Sequence, residues 1–286
     1  MIDIKLLEQL CLCNGISGDE GNVRNLIINE IKDCADDIKT DNLGNLIVFK
    51  KGKKSAKSKL MVSAHMDEVG LMVTDITSDG YLKFDEVGGI DRRVLPGKRV
   101  CVGRNGLNGV IGVKPIHLTN GDEKTAVPKM NDMYIDIGAE SREDALKYVN
   151  YGDGINFGGD FKINGKTVVT KALDDRFGCY VLINLIKSEP EYDMYFTFVV
   201  QEEVGLRGAR PAAFTVNPDF ALVIESTTAA DVAEVDVSHQ VCNLSKGATV
   251  TVMDRATVYD KEMISAAFEL AEKNNIAVQY KRAVAG

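Results

Sequence analysis

Four apolar runs of the sequence, each with the length and composition of a β-strand, end in residues that could bind a metal ion. Imidazole and carboxylate groups are ligands for divalent metals. In open α/β sheets, ligands bind beyond the carboxyl ends of the strands, so side chains at several strand ends can share one pocket. The residues are His65 and Asp67 after the run 60–64, Asp174 and Asp175 after 167–173, Glu202 and Glu203 after 195–200, and Glu225 after 220–224.

Carboxylates gathered in one pocket repel one another, so such a cluster calls for a cation. One histidine with at least three carboxylates suits Zn²⁺, Co²⁺ or Mn²⁺, and one carboxylate can bridge two ions. Taken singly, each residue has a simpler interpretation: a lone histidine is often structural, two aspartates before a helix are typical of a cap, and adjacent glutamates are often merely exposed. Recurrence at four strand ends, in a chain with three histidines, favours the metal site.

The runs that carry these residues alternate with helical patterns, as at 175–188 and 263–271. This alternation predicts an α/β sandwich with helices on both faces of a sheet. Between residues 70 and 164 the pattern changes to short β-like runs, at 71–76, 98–102, 110–113 and 133–137, separated by turn signals and interrupted by one helical pattern from Ser141 to Val149. This texture predicts a small β-barrel domain inserted into the larger fold. The expected domains are therefore 1–69 together with 165–286, and the insertion 70–164.

A capping-box pattern, Ser17-Gly18-Asp19-Glu20, precedes an apolar periodicity typical of a helix. It predicts a helix over 18–35, with Ser17 and Glu20 satisfying free amides at its first turn. Lys171 and Arg255 lie where they could tune specificity, but surface charge is the favoured interpretation of both.

Composition excludes several classes of protein. The net charge of −8 argues against a nucleic-acid scaffold, because phosphate binding requires a basic face. No apolar run approaches the ~20 residues of a membrane span, and residues 1–5 do not begin a signal peptide. The six cysteines do not form a disulfide pattern. We therefore expect a cytoplasmic protein with neither a nucleic-acid nor a membrane partner.

The sequence resembles the M42 family of dinuclear metalloaminopeptidases, the glutamyl or tetrahedral aminopeptidase group, over essentially its whole length. That resemblance implies a phosphorylase/hydrolase-like three-layer α/β sandwich with an inserted β-barrel used for dimerisation. It rests on His65-x-Asp67, Ala172-Leu173-Asp174-Asp175-Arg176, Gln201-Glu202-Glu203-Val204-Gly205 and Glu225, together with Ser17-Gly18-Asp19-Glu20, Val87-Gly88-Gly89 and the segment 109–117.

The resemblance also implies a ligand set for two divalent ions, Zn²⁺ or Co²⁺, with Mn²⁺ as a further candidate. His65 and Glu225 would hold one ion, and Asp174 would bridge it to the second. Glu203 would be a ligand of that second ion. Glu225 is often aspartate in the family, a difference that still supplies a carboxylate oxygen.

Two catalytic roles follow from the same resemblance. Glu202 would be the general base that takes a proton from the metal-bound water and passes it to the leaving amine. Asp67 would orient His65 through the far ring nitrogen. The substrate's free amino group would sit on one ion, so the enzyme would remove amino-terminal residues from short peptides. We expect a homo-oligomer, either a dimer or a dodecamer built from dimers.

Alternatives remain open at the carboxyl terminus. The family has a further histidine ligand after the final helix, and this sequence ends at Gly286, about where that stretch begins. For His117, a structural or substrate-contact role and the absence of any role are equally favoured. His239 is expected to be a surface residue. A catalytically incomplete relative that acts in assembly or peptide binding is therefore the second hypothesis. An endoglucanase-type hydrolase is a distant third, because glycosidases need two carboxylates and no metal ligands.

Overall fold

The computed structural model describes residues 3–121 and 126–282, so Gly286 lies outside the described residues. The chain divides into two compact units, of which the first ends at Glu225 and the second begins at Ser226. The strands of the first unit are β1 (Asp37–Thr40), β2 (Leu46–Lys50), β3 (Leu60–His65), β4 (Gly70–Ile76), β5 (Leu82–Val87), β6 (Arg99–Val102), β7 (Leu107–Val113), β8 (Met133–Asp136), β9 (Gly154–Phe157), β10 (Lys162–Asn164), β11 (Thr167–Val169), β12 (Met194–Val199) and β13 (Phe220–Val223). Its helices are α1 (Ile4–Leu12), α2 (Gly21–Ile31), α3 (Arg142–Ala145), α4 (Leu173–Lys187) and α5 (Ala209–Val216).

A mixed sheet of five strands, in the order β1-β2-β12-β3-β13, positions all of the predicted site residues except Asp174. Strand β3 is parallel to both β12 and β13, so the carboxyl ends of all three strands lie at one edge. Strands β1 and β2 complete the sheet through antiparallel pairing. His65, Glu202, Glu203 and Glu225 therefore lie at or just after the ends of parallel strands, as the sequence predicts. The same prediction is wrong for Asp174 and Asp175, which lie at the start of α4 and not at a strand end.

Helices cover both faces of this sheet because its strands alternate apolar side chains between the faces. Leu46 and Val48 of β2 pack into the larger core, which also contains apolar residues of α1, α2 and α4. Ile47, between them, packs on the other face with Val216 of α5. The α/β sandwich predicted from the sequence is confirmed.

The segment between β3 and β10 contains a closed antiparallel barrel with strand order β4-β5-β8-β7-β6-β9. Its interior is filled by apolar side chains such as Leu71, Val100 and Ile135. The predicted β-barrel is confirmed, although the sequence pattern missed β5 and β9. The predicted domain limits at 69/70 and 164/165 stay a prediction.

The predicted capping box is wrong. Helix α2 begins at Gly21 after Glu20, with no side-chain hydrogen bond at its cap, and it ends at Ile31 instead of residue 35. Ser17 and Glu20 are both buried and direct their side chains away from the first helical turn. The pattern identified the helix but misassigned the two polar side chains before it.

Two further elements are shorter than expected. The strand predicted over 167–173 ends at Val169, and Ala172 takes a left-handed conformation with φ of 53° that a strand cannot accommodate. The helix predicted from Ser141 to Val149 is the single turn α3, capped by the Ser141 side chain. These differences shorten the elements without changing the architecture.

The second unit contains β14 (Ala248–Val250), α6 (Lys261–Lys273) and β15 (Val278–Tyr280). The two strands pair in parallel, so α6 lies in the crossover connection that parallel pairing requires. Asp260 caps α6 by accepting a hydrogen bond from the Met263 amide at 2.9 Å. Among the described residues of the whole chain, no helix has the length and apolarity needed to cross a membrane.

Candidate metal centre

His65 is the centre of the site. It is the last residue of β3, and its side chain is 2% exposed. Its Nε2 lies 3.1 Å from Asp174 Oδ1 and 3.5 Å from Glu225 Oε1. These three residues can place one ligand atom each within 4.8 Å of the others, which is close enough to share one metal ion.

A second group of possible ligands also contains His65. Because β12 is parallel to β3, Val199 lies opposite His65, and Glu202 and Glu203 follow shortly after the end of β12. One ligand atom each from His65, Glu202 and Glu203 also lie within 4.8 Å of one another. The structure thus brings the predicted metal-binding residues and Glu202 together around a single buried imidazole.

The other ring nitrogen of His65 faces Asp67. Nδ1 lies 3.0 Å from the Asp67 backbone carbonyl oxygen and 3.4 Å from its Oδ1. A carbonyl oxygen can only accept a hydrogen bond, so Nδ1 carries the hydrogen. Nε2 is therefore the nitrogen that faces Asp174 and Glu225, where a metal ion would sit.

Burial and the nearness of other carboxylates make the three glutamates of the site harder to ionise. Burial raises the pKa of Glu203 to about 7; the nearby carboxylates of Asp174, Glu202 and Asp67 raise it further, whereas His65 opposes the shift. Burial also raises the pKa of Glu225 to about 7, with His65 again opposing the shift. Burial raises the pKa of Glu202 in the same direction.

His65 shows the opposite response. Burial opposes its protonation, but hydrogen bonds to Asp174, Asp67 and Glu225 outweigh that effect and raise its pKa. The excess of negative charge around one imidazole is the condition that a divalent cation relieves. The nitrogen and oxygen donors also match what Zn²⁺, Co²⁺ and Mn²⁺ accept, so the residues fit the metal that the sequence predicts.

Asp175, next to Asp174, is a structural carboxyl that the sequence did not distinguish from a ligand. It is fully buried, and its Oδ2 accepts a hydrogen bond from the His65 backbone amide at 3.3 Å. Its Oδ1 accepts from the Gly178 amide at 3.0 Å. A Cβ at Gly178 would lie 2.3 Å from the Asp175 carboxylate, so this approach requires glycine.

Arg176 holds the backbone beneath the site and was also missed as a functional residue. Its side chain is 0% exposed and donates to the carbonyl of Met66, between His65 and Asp67, at 2.7 Å. It also donates to the carbonyls of Leu10, Cys13 and Gly15. The only signal in the sequence was its place after the two aspartates.

A second ion pair lies beside Arg176. Lys171 binds both carboxylate oxygens of Glu68 at 2.7 and 2.9 Å, and Glu68 also accepts from Arg176 at 3.3 Å. The Lys171 side chain is 11% exposed, so its interpretation as surface charge is wrong. The ion pair joins Glu68, the residue after Asp67, to the segment that precedes Asp174.

The remaining predicted positions lie outside the two ligand groups. His117 and His239 occupy exposed 3₁₀ turns, at Ile116–Leu118 and Val237–His239. Arg255, in the second unit, is exposed, as expected for a surface charge. Within 3–121 and 126–282, every group that could hold a metal ion includes His65.

Comparison with known proteins points to one family. The family model described as M42 glutamyl aminopeptidase matches residues 44–286. A protein of Acetivibrio thermocellus with the name "Putative aminopeptidase" is 44% identical over 283 residues, which cover 98% of this chain and 82% of that protein.

Solved structures agree in fold. The TET1 peptidase of Pyrococcus horikoshii, which can assemble into a tetrahedron or a large octahedral shell, is 41% identical with a TM-score of 0.85 over 97% of this chain and 83% of that one. A Thermotoga maritima protein described as an endoglucanase is 40% identical with a TM-score of 0.85 over 98% of this chain and 84% of that one.

Proposed function

The chain belongs to the M42 peptidase family, and from that premise we propose that it is a metal-dependent aminopeptidase acting on short peptides. Membership makes it a peptidase and implies the use of divalent metal ions. The observation that carries the proposal is the pair of ligand groups that share His65, in which Asp174 at the start of α4 meets carboxylates that follow two strands parallel to β3. A cytoplasmic location stays a prediction from the sequence.

Two ions, with Zn²⁺ or Co²⁺ as the first choices and Mn²⁺ as the next, would be held by the residues of these groups. His65 and Glu225 would hold one ion, Asp174 would bridge, and Glu203 would hold the second. The bound ions would act as Lewis acids toward the scissile carbonyl and lower the pKa of the attacking water.

Glu202 is the residue that moves the proton. Its carboxyl is half-buried, and burial raises its pKa toward the range in which a carboxylate is an effective base near neutral pH. It takes a proton from the attacking water and gives it to the leaving amine. Its backbone amide donates to Asp67 Oδ1 at 3.0 Å, which fixes the point from which the side chain reaches the substrate.

Asp67 is proposed to orient His65 rather than to react. Its backbone carbonyl and its carboxylate both face Nδ1, so the imidazole is held with Nε2 toward Asp174. The carboxylate is fully buried; burial opposes its ionisation, but hydrogen bonds from His65 and Ser17 outweigh burial and lower its pKa. It therefore stays ionised as the partner of the imidazole.

The proposed function is tested by the requirement for a free amino terminus. Aminoacyl-p-nitroanilides and di- to tetrapeptides are compared with their N-acetylated forms in the presence of Co²⁺ or Zn²⁺. We expect cleavage of the free forms only, and equal cleavage of the acetylated forms would contradict an aminopeptidase. Carboxymethylcellulose is included because one relative is described as an endoglucanase, and we expect no hydrolysis, since a two-carboxylate glycosidase needs no central imidazole.

The barrel is proposed to mediate dimerisation in a homo-oligomer. Its turn at Ile116–Leu118 exposes 69% of Ile116 and 57% of Leu118, so two apolar side chains of one turn offer a surface that an interface could bury. Sedimentation velocity of Ile116→Glu/Leu118→Glu should show smaller particles than the unsubstituted chain. Tyr192→Glu, which changes a 51% exposed ring outside the barrel, is the control.

A further inference from the structure

The turn 17–20, whose pattern predicted a helix cap, contacts the candidate metal centre instead. The Ser17 hydroxyl donates to Asp67 Oδ2 at 2.5 Å. Ser17 is 5% exposed and Asp67 is 0% exposed, so water does not compete for this contact. A hydrogen bond to a buried carboxylate is stronger than one between neutral groups.

The same turn reaches the segment after β12 through Glu20. One carboxylate oxygen of Glu20 accepts from the Gly18 amide at 2.7 Å and from the Gln201 amide at 3.1 Å. Glu20 is 4% exposed. The turn therefore supplies one carboxylate that meets the 201–203 backbone, that of Glu20, and through Ser17 it holds the other, that of Asp67.

Three successive amides donate to these two carboxylates. Gln201 donates to Glu20, Glu202 donates to Asp67 Oδ1 at 3.0 Å, and Glu203 donates to Asp67 Oδ2 at 3.1 Å. Gln201 has a left-handed backbone with φ of 53°, a conformation that helps successive amides converge on anionic groups. The carboxylates thus fix the backbone from which Glu202 and Glu203 project.

We propose that Ser17 is a positioning residue for the metal centre, which acts by holding Asp67 in the orientation that sets Glu202 and Glu203 opposite His65. Asp67 contacts His65 with Oδ1 and accepts from Ser17 with Oδ2, while each oxygen also accepts one glutamate amide. Without the Ser17 hydroxyl, the Asp67 carboxylate can rotate. Its contact with His65 and its hydrogen bonds from the Glu202 and Glu203 amides would then change together. This inference rests on the proposed metal site.

A role limited to stability would leave the metal centre unchanged. The test therefore compares Ser17→Ala with Ser17→Thr, which restores a hydroxyl, and with Thr197→Val. Thr197 is a buried residue of β12 whose hydroxyl has no hydrogen-bond partner among the described residues, so its loss is a matched control for removing a buried hydroxyl.

The readouts are Co²⁺ affinity, the visible absorption spectrum of bound Co²⁺, and kcat and KM measured separately. Removal of such an outer partner typically costs 10- to 100-fold in metal affinity or activity. For Ser17→Ala we expect about 10-fold weaker Co²⁺ binding, an altered spectrum and a kcat about 10-fold lower with little change in KM. Ser17→Thr should recover most of this loss, and Thr197→Val should match the unsubstituted chain.

If Ser17→Ala does not fold, Glu20→Gln and Glu20→Met test the same arrangement. Glutamine keeps an oxygen that can accept from Gln201, and methionine does not, so only the methionine variant should show the altered spectrum. The inference is overturned if folded Ser17→Ala keeps the wild-type Co²⁺ affinity, spectrum and kcat. Where Ser17→Ala does not fold, the same result in Glu20→Met overturns it. If the unsubstituted chain binds no Co²⁺, the proposed metal site is itself wrong and the inference falls with it.

Discussion

Two layers of the site use carboxylates in opposite ways. The rim, which consists of Asp174, Glu202, Glu203 and Glu225, is partly open to solvent, with 57% of the Asp174 side chain and 40% of the Glu225 side chain exposed. The frame, which consists of Asp67, Glu68, Asp175 and Arg176, is 4% exposed or less. Rim carboxylates remain available to a cation, whereas frame carboxylates are held by amides, a hydroxyl and cationic side chains.

The contrast is sharpest between neighbours in the chain. Asp174 faces His65 Nε2, and Asp175 accepts the backbone amide of the same His65. Arg176 then binds the carbonyl of Met66, the next residue after His65. Residues 174, 175 and 176 thus contact, in that order, the His65 side chain, the His65 amide and the Met66 carbonyl, all at the end of β3. The comparison predicts that changes in the rim affect chemistry, whereas changes at Asp175 and Arg176 of the frame affect stability; Asp67 is the frame residue that also orients His65.

The largest expected effect is in the rim, at Glu202. Glu202→Gln removes the proposed base while keeping the shape of the side chain, so turnover of an aminoacyl-p-nitroanilide should fall by about 10²- to 10⁴-fold. The unfolding temperature should stay within the error of the unsubstituted chain, because the side chain is half-buried and its amide remains bound to Asp67. Unchanged turnover would remove Glu202 from the mechanism.

The largest effect on stability is expected in the frame, at Arg176. Arg176→Met leaves buried carbonyls unpaired and deprives Glu68 of one partner, so the free energy of unfolding should fall by about 3–5 kcal/mol. Arg104→Met is the control, since that side chain is 85% exposed and its loss should cost no more than about 0.5 kcal/mol. Equal losses in urea denaturation would refute the role of the frame.

Adjacent aspartates give a matched pair for the comparison. Asp174→Asn should weaken Co²⁺ binding by at least about 100-fold, more than loss of an outer partner costs. Its effect on unfolding should stay within about 0.5 kcal/mol, because the side chain is 57% exposed. Asp175→Asn should lower unfolding free energy by about 1–3 kcal/mol, because one buried amide loses its acceptor.

Calorimetry of unfolding and of Co²⁺ binding on both aspartate variants measures which aspartate binds the metal and which one stabilises the fold. The distinction between rim and frame fails if the two variants show the same ratio of binding loss to stability loss. A reversed ratio would assign the ligand role to Asp175.

The smallest expected effect concerns a thiol beneath the frame. Burial raises the pKa of Cys11 to about 11, although Arg176 and Lys171 oppose the shift. At pH 8 only about one molecule in a thousand carries the reactive thiolate, and that fraction grows as pH rises toward 11. In native protein, mass spectrometry should find iodoacetamide on the half-buried Cys101 well before Cys11. Equal labelling rates would show that the frame opens readily to water.

The fold and the strand-end positions of His65, Glu202, Glu203 and Glu225 could be predicted because they rest on regular patterns, whereas Asp174 lies at the start of α4 and not at the predicted strand end. Strand β3 is an apolar run that ends at His65, and parallel pairing with β12 and β13 makes strand ends coincide. The β-barrel followed from turn signals, but β5 and β9 were missed. A polar residue interrupts the apolar character of each of those strands: the charged Lys83 in β5 and the neutral amide Asn156 in β9.

The frame could not be predicted because its contacts join residues far apart in the chain. Ser17 and Glu20 satisfy a local capping pattern, yet their partners are Asp67 and Gln201, which come close only after the sheet has formed. Lys171 looked like surface charge because nothing near it in sequence is its partner, Glu68. Local patterns identify which side chains are polar, whereas burial decides what each one binds.

The central claim, that the carboxylates around His65 bind divalent ions needed for peptide cleavage, is tested most directly by metal removal and return. The chain is treated with a chelator and dialysed, and hydrolysis of aminoacyl-p-nitroanilides is measured before and after addition of Zn²⁺, Co²⁺ or Mn²⁺. His65→Ala is carried in parallel, because both ligand groups contain His65. We predict activity that disappears with the metal, returns with it, and is never present in His65→Ala. Full activity in the metal-free chain, or metal-restored activity in His65→Ala, would contradict the claim.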